Sequence, residues 1–410
     1  VNRAFAFTLG TLTAIGGFID IGDLVADAQI GARFGLRLTW VTILSVIGIM
    51  CFAEMAGRVA LQTQRPALEL ARSRLGPRFA FFGLAGSLLA TGLLVMAELG
   101  GVALALQLVS GINYLLWVPL AALLVLLVFW RLPFEAMERL YGTLGLTMLV
   151  FVVAVFKLGP DWSTLLASST TIAPTSEESW ATYLFFVVIL IGAHMTPYEM
   201  FFFSSGAVDH RWRPKHLREM RFNVIFGFPL GGLLALSIQA AAFLVFFGPG
   251  VTVEHLSQTA LPVAVALGKI GLIVAIVAMF AATFGATLET LFATGYEVAQ
   301  YFGWSYGKLQ PAARAARFTT TILAMLLGAT ALALTTLNPI TVTIVAVACS
   351  ATLLPFLFLP VLLVANDREL MGELANGRLS NTVGMLTLGF SCAIAAITFP
   401  LLILTKGGTV

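Results

Sequence analysis

Charge is what this sequence has least of. Of its 410 residues, 10% are Asp, Glu, Lys or Arg and 59% are apolar, against roughly 25% charged in an average soluble domain. Mean hydropathy is +0.96. A water-soluble fold cannot conceal that much apolar surface, whereas a bilayer removes the need to conceal it. Thiols are scarce too. Cys51, Cys349 and Cys392 all lie in apolar stretches with no paired spacing, which excludes a disulfide framework and a zinc motif. With four histidines, there is no His-Glu-x-x-His pair and no Ser-His-Asp set, so neither an enzyme nor a resident cofactor is expected. No cleavable signal is visible, and a start on Val1 that turns apolar after Arg3 reads as a trimmed beginning.

What is present is a series of apolar segments long enough to cross a bilayer. They fall at about 5–33, 39–60, 79–109, 115–130, 140–158, 180–204, 222–247, 262–300, 316–336, 340–364 and 381–405, which makes eleven helices. The longest polar connections are 159–179 and 205–221, and no soluble domain is left over. The fold class is therefore an all-α polytopic membrane protein, with residues 1–410 as a single transmembrane domain.

Basic residues orient it. Of 23 Lys and Arg, only Arg33, Arg37, Lys157, Lys269 and Lys406 fall on one side; the other 18 fall on the side of the N-terminus. This predicts a cytoplasmic N-terminus in a cell membrane, with 159–179 outside. The run Arg211-Trp212-Arg213-Pro214-Lys215 is then a topogenic loop, and no nucleic-acid partner is expected. Asp161, Glu177 and Glu178 in the outer loop read as solvated residues rather than a cation funnel.

Charges inside the apolar helices carry the chemistry, because an ion at membrane depth is costly and usually functional. In the first segment, Gly16-Gly17-Phe18-Ile19-Asp20-Ile21-Gly22-Asp23 sets two carboxylates three residues apart among glycines. Glycine lowers helix propensity, so this is a candidate break. The sixth segment holds another, Gly192-Ala193-His194-Met195-Thr196-Pro197-Tyr198-Glu199. Proline removes a donor there and leaves carbonyls near Ala193 without helix partners. Breaks in the first and sixth helices fit a five-plus-five inverted repeat, about 5–158 and 180–364, with 381–405 as an extra helix. Asp27, Glu54, Glu98, Glu289 and Glu297 are the other ionisable groups in the helices. This acidic bias suits a cation pathway, whereas an anion carrier should bury Arg or Lys.

Each residue also has a plainer reading. Asp20 and Asp23 are good helix caps, and Thr196 can bond its own helix backbone. Glu54, Glu289 and Glu297 read as paired structural charges or as lying near a membrane face. His194 reads as a hydrogen-bonded helix residue, and Tyr198 as a packing and hydrogen-bonding one.

Asp20-Ile21-Gly22-Asp23 resembles the Asp-Pro-Gly-Asn motif of Nramp-type divalent-metal transporters, and Thr196-Pro197-Tyr198 stands where that family has Met-Pro-His. Leu354-Pro355-Phe356 resembles the family's tenth-helix Leu-Pro-Phe, and Asn366-Asp367-Arg368-Glu369-Leu370-Met371-Gly372 the loop that follows. The resemblance implies a LeuT-like fold and a divalent metal ion as cargo. Asp20, Asp23, Thr196 and the Ala193 carbonyl would be the ligands, with Glu199 and Glu98 in the outer shell or along the path.

The departures define the expected specificity. Thr196 replaces a methionine sulfur, Asp23 replaces an asparagine, and Glu199 adds an acid. An all-oxygen, more acidic site suits hard cations. In this the sequence is similar to the Nramp-related magnesium transporters of prokaryotes. Tyr198 stands for the family's histidine, Val95 for an aspartate before Glu98, and the region around Val347 lacks an expected polar residue. Uptake of Mg2+ and Mn2+ without proton coupling is the resulting expectation, by a protein acting as a monomer. A proton-coupled Mn2+ or Fe2+ carrier is the first alternative, and an organic-solute carrier of the same fold the second.

Overall fold

The structure is a computed structural model that describes residues 19–132, 134–308, 310, 313–335 and 337–409. The first half of the segment expected at 5–33, including Gly16, Gly17 and Phe18, lies outside the described residues. Its second half is α1 (Ile21–Phe34). Then follow α2 (Thr39–Thr63), α3 (Ala67–Leu75), α4 (Pro77–Ser110), α5 (Tyr114–Arg131), α6 (Phe134–Gly145), α7 (Leu149–Lys157) and α8 (Trp162–Thr170). The chain continues through α9 (Trp180–His194), α10 (Pro197–Asp209), α11 (Leu217–Ala242), α12 (Leu261–Phe302), α13 (Ala316–Ala333), α14 (Pro339–Asn366), α15 (Arg368–Met371) and α16 (Arg378–Leu404).

Among the described residues, nine helical stretches are long and apolar enough to cross a membrane, or ten if the bent run through α7 and α8 is one span. The remaining expected crossing is the one that contains α1. The helix count expected from hydropathy therefore agrees with the structure wherever it is described. Two shorter helices were not expected. The polar connection 159–179 contains α8, bent 112° from the run before it. Asp161 caps it by accepting from the Ser163 amide at 3.0 Å, and Leu165 buries against Leu36, Val155 and Ala240. The second, α3, follows Pro66 and packs beneath α4 and α14.

Burial separates the centre from the rim. The stretch through α9 and α10 has 94% of its apolar window buried, against 17% for α5 and 22% for α16. Those two outer helices present leucines to the lipid, as a membrane protein's perimeter does. α1 packs against α9, α11 and α14, and α10 against α2 and α12. The longest contacts of the bundle run between α4 and both α12 and α14.

Two glycines permit the central crossings. A Cβ on Gly192 would stand 2.2 Å from the Val347 carbonyl oxygen, and one on Gly31 would stand 2.2 Å from that of Gln239. Only a residue without a side chain lets α9 meet α14, and α1 meet α11, so closely.

Ion pairs lie at the ends of the bundle. Glu54 binds Arg58 at 3.0 Å and Arg221 at 2.9 Å, so it is the paired structural charge expected. Arg74 meets Asp367 at 2.6 Å. At the opposite end, Arg33 meets Glu178 at 2.6 Å, which ties the 159–179 connection to the end of α1.

Candidate functional site

Two helix starts face each other at the centre of the bundle. α1 begins at Asp20, whose extended backbone (φ −108°, ψ −171°) makes it the N-cap. Its Oδ1 accepts from the Gly22 and Asp23 amides at 2.5 and 3.2 Å. Asp23 Oδ2 reaches back to accept from the Asp20 amide at 3.0 Å. This reciprocal box satisfies donors that a helix start would otherwise strand. Capping and ligation do not compete here, because each carboxylate keeps a second oxygen.

The second start results from Pro197. α9 ends at His194, and Met195 (φ −129°, ψ 54°) and Thr196 (φ −69°, ψ 135°) leave helical geometry before α10 begins. The amide that would bond the Ala193 carbonyl belongs to residue 197, and proline has none. Thr196 occupies the N-cap position without a side-chain capping bond. Its Oγ1 is buried and lies beside the Glu199 carboxylate rather than on a backbone amide. A capping hydroxyl normally bonds the second or third amide of its helix, whereas this one faces a side chain.

Asp20 joins the two breaks. Tyr198, fully buried, donates its hydroxyl to Asp20 Oδ2 at 3.2 Å. The charges of Glu98, on α4, and of Glu199, on α10, both act on Asp20. Glu98 Oε1 accepts from Thr290 of α12 at 3.2 Å, while its Oε2 is buried without a partner. Glu199 is partly exposed, yet its Oε2 is buried, and its carboxylate lies beside the Thr196 hydroxyl. Glu289 of α12 feels both glutamates. Several carboxylates thus converge with no Lys or Arg among them in the described residues, an arrangement that a cation stabilises.

Asp23 divides from this basin. Its Oδ1, without a hydrogen-bond partner, points at His194, whose Nε2 stands 3.4 Å away. The same Nε2 is 3.4 Å from Asp27 Oδ1. Gln239 of α11 donates to Asp27 at 2.7 Å and to Thr42 at 2.9 Å. Asp23, Asp27 and His194 are all buried, with one ligand atom of each within 4.8 Å of the others.

Of the residues singled out from sequence, Asp20 acts through charge on both Glu98 and Glu199, Ala193 lies beside Gly22, Thr196 is the N-cap of α10, and Asp23 faces another group. Sequence reasoning left Asp27, His194 and Gln239 without a functional place. Asp20, Asp23 and Asp27 share an i, i+3, i+7 spacing that marks one helix face, a signal that was there to be read. Gln239 carries no local signal at all. Val347, flagged for lacking polarity, packs over the break: it is the neighbour that a Cβ on Gly22 would meet at 3.3 Å. Glu297 departs from expectation. It is fully buried beside the Ser87 hydroxyl, and it has no ion pair among the described residues.

Comparison with known proteins places this geometry in a family. The sequence profile described as "Nramp: Natural resistance-associated macrophage protein-like" fits residues 10–400. A divalent metal cation transporter MntH of Chromohalobacter salexigens is 26% identical over 276 residues, covering 65% of this chain and 63% of that protein. The MntH of Deinococcus radiodurans is 24% identical over 401 residues, covering 94% of this chain and 87% of its own. For most of the similar MntH proteins, the matched region spans between about half and two thirds of the relative's length. Among solved structures, an Eremococcus coleocola manganese transporter superposes with a TM-score of 0.73 at 20% identity, covering 96% of this chain and 85% of that one. A sodium-coupled sialic acid symporter reaches 0.64 at 16% identity, covering 97% and 89%. The architecture is the LeuT-like fold that these transporters share, and the chain belongs to the Nramp family.

Proposed function

We propose that this protein carries a divalent metal cation across a cell membrane by alternating access, and that its site suits Mg2+ as well as Mn2+. One observation carries the reading: the Glu98 and Glu199 carboxylates are buried with Asp20 at two facing helix starts, and an oxygen of Glu98 has no donor. Buried oxygens without donors cost free energy unless a ligand satisfies them. Asp20, Glu98, Thr196 and Glu199 all offer oxygen, and the Met195 sulfur lies towards Gly48 instead. Hard cations bind such sets, and Mg2+ retains part of its hydration shell when it does. Glu98 and Glu199 act through those waters, while Asp20, Thr196 and the Ala193 carbonyl meet the ion more directly.

The membrane potential suffices as a driving force. An interior-negative potential favours entry of a dication by about 4.6 kcal/mol per 100 mV, so no proton is required. The N-terminus is cytoplasmic in this reading, and the Arg33–Glu178 pair closes the extracellular end. A second reading, proton-coupled transport of Mn2+, draws on His194, whose imidazole stands 3.4 Å from each of two aspartates.

Uptake of Mg2+ and Mn2+ into proteoliposomes, with internal pH followed in parallel, separates the two for the natural protein and Asp20→Ala. Entry of both ions without acidification, abolished by the substitution, is expected. Entry of Mn2+ alone with matching acidification would establish the second reading instead.

A further inference from the structure

We propose that Asp23, Asp27 and His194 form a second divalent-cation site, beside the Asp20 basin, that takes first-row transition-metal ions in preference to Mg2+. The three donors lie within 4.8 Å of one another, and the two distances from His194 fit a ligand set. An ion about 2.1 Å from each donor has tetrahedral edges of about 3.4 Å and octahedral edges of about 3.0 Å. His194 Nε2 lies 3.4 Å from an oxygen of each aspartate. These three ligand atoms come from α1 and α9, helices of opposite repeats, so the site exists only where the fold brings them together.

Two further features point to a ligand. Asp23 is fully buried, and its Oδ1 faces the cluster without a hydrogen-bond partner. Asp27 is oriented by Gln239, which donates to its Oδ1 and also binds Thr42, the kind of outer-shell support that ligating carboxylates usually have. One imidazole among two carboxylates favours ions that accept nitrogen, and Mg2+ is not one of them.

Position along α1 gives the site its role. From Asp20 the helix runs past Asp23 and Asp27 to Arg33, which binds Glu178 of the 159–179 connection. A transition-metal ion at Asp27 therefore stands between that end of the protein and Asp20. Asp23 borders both groups: its Oδ2 accepts from the Asp20 amide while its Oδ1 faces His194. The proposal is independent of which ion is carried through the Asp20 basin.

The test is pulsed electron paramagnetic resonance of Mn2+ bound to the purified full chain and to Asp20→Asn. Histidine-nitrogen coupling to the bound Mn2+ is expected in both proteins. It should change when the histidines are isotopically labelled and vanish in His194→Gln and Asp27→Asn. Gln239→Leu should weaken this binding by about 10- to 100-fold. Mn2+ bound without nitrogen coupling in the natural protein overturns the proposal, and so does complete loss of binding in Asp20→Asn. The labelled natural protein decides the matter even where a variant fails to fold. Coupling that persists while Asp20→Ala leaves transport intact refutes the transport site alone, so the two failures are told apart.

Discussion

Tyr198 donates its hydroxyl to Asp20 Oδ2 across the two helix breaks, at 3.2 Å. This bond spans 178 residues of sequence and joins the start of α1 to the first turn of α10. Where the motif resemblance sets a histidine, this chain has a hydroxyl that holds the aspartate.

Replacing Tyr198 by Phe removes the donor and leaves the shape. A hydrogen bond to a charged group contributes about 1.5–3 kcal/mol, so the metal-free protein should melt at a lower temperature. Added Mn2+ should restore more stability to Tyr198→Phe than to the natural protein, because the ion satisfies the oxygen left bare. Thermal unfolding in detergent, with and without Mn2+, reads this. Equal melting of the two metal-free proteins would mean that the bond contributes nothing.

Close helix crossings yield a second expectation. A Cβ on Gly192 meets the Val347 carbonyl at 2.2 Å, whereas one on Gly328 of α13 has nothing within 4 Å. Overpacking a tight interface costs about 1–3 kcal/mol. Alanine in a helix in place of glycine contributes roughly 0.5–1 kcal/mol of stability. Gly192→Ala should therefore lower the unfolding temperature and Gly328→Ala hold or raise it. The same direction of change in both would show that α9 and α14 do not meet as described.

Acid sensitivity should arise outside the membrane core. Burial, and then the Lys308 charge, hold the His210 imidazole down at about 4 from its usual 6.5. The unfolded chain therefore binds a proton that the folded one refuses between pH 6.5 and about 4. Stability falls as pH falls through that window, by roughly 3 kcal/mol when fully developed. Chemical unfolding from pH 7 to 4.5 should show a shallower decline for His210→Phe than for the natural protein. Parallel declines would assign the acid sensitivity to other groups.

Hydropathy made the helices legible because each crossing is a local property of its own residues. The break before α10 was legible too, since Pro197 acts through its own backbone. Pairing was not. Asp23 turns from Asp20 towards His194 because α9 crosses α1 there, and Gln239 reaches Asp27 because Gly31 lets α11 approach. Neither crossing has a trace in the local sequence of the residue it positions. α8 was hidden for a different reason: in a short, polar run, the cap at Asp161 is a weaker signal than the composition around it.

In the proposed site, Thr196 is the residue expected to set the metal preference. Its Oγ1 is the neutral side-chain oxygen at the α10 start, buried beside the Glu199 carboxylate. The corresponding family residue offers a sulfur, which binds Mn2+ and softer ions better than it binds Mg2+. Thr196→Met should therefore move selectivity from Mg2+ towards Mn2+ while leaving Asp20, Glu98 and Glu199 in place. An exchange of one ligand that alters relative binding by about 1.4 kcal/mol changes the ratio about tenfold. Competition of Mg2+ against Mn2+ uptake in proteoliposomes measures that ratio directly. The Thr196→Met protein should need more Mg2+ to halve Mn2+ entry than the natural protein does. An unchanged ratio would remove Thr196 from the ion's immediate surroundings and leave selectivity to the carboxylates alone.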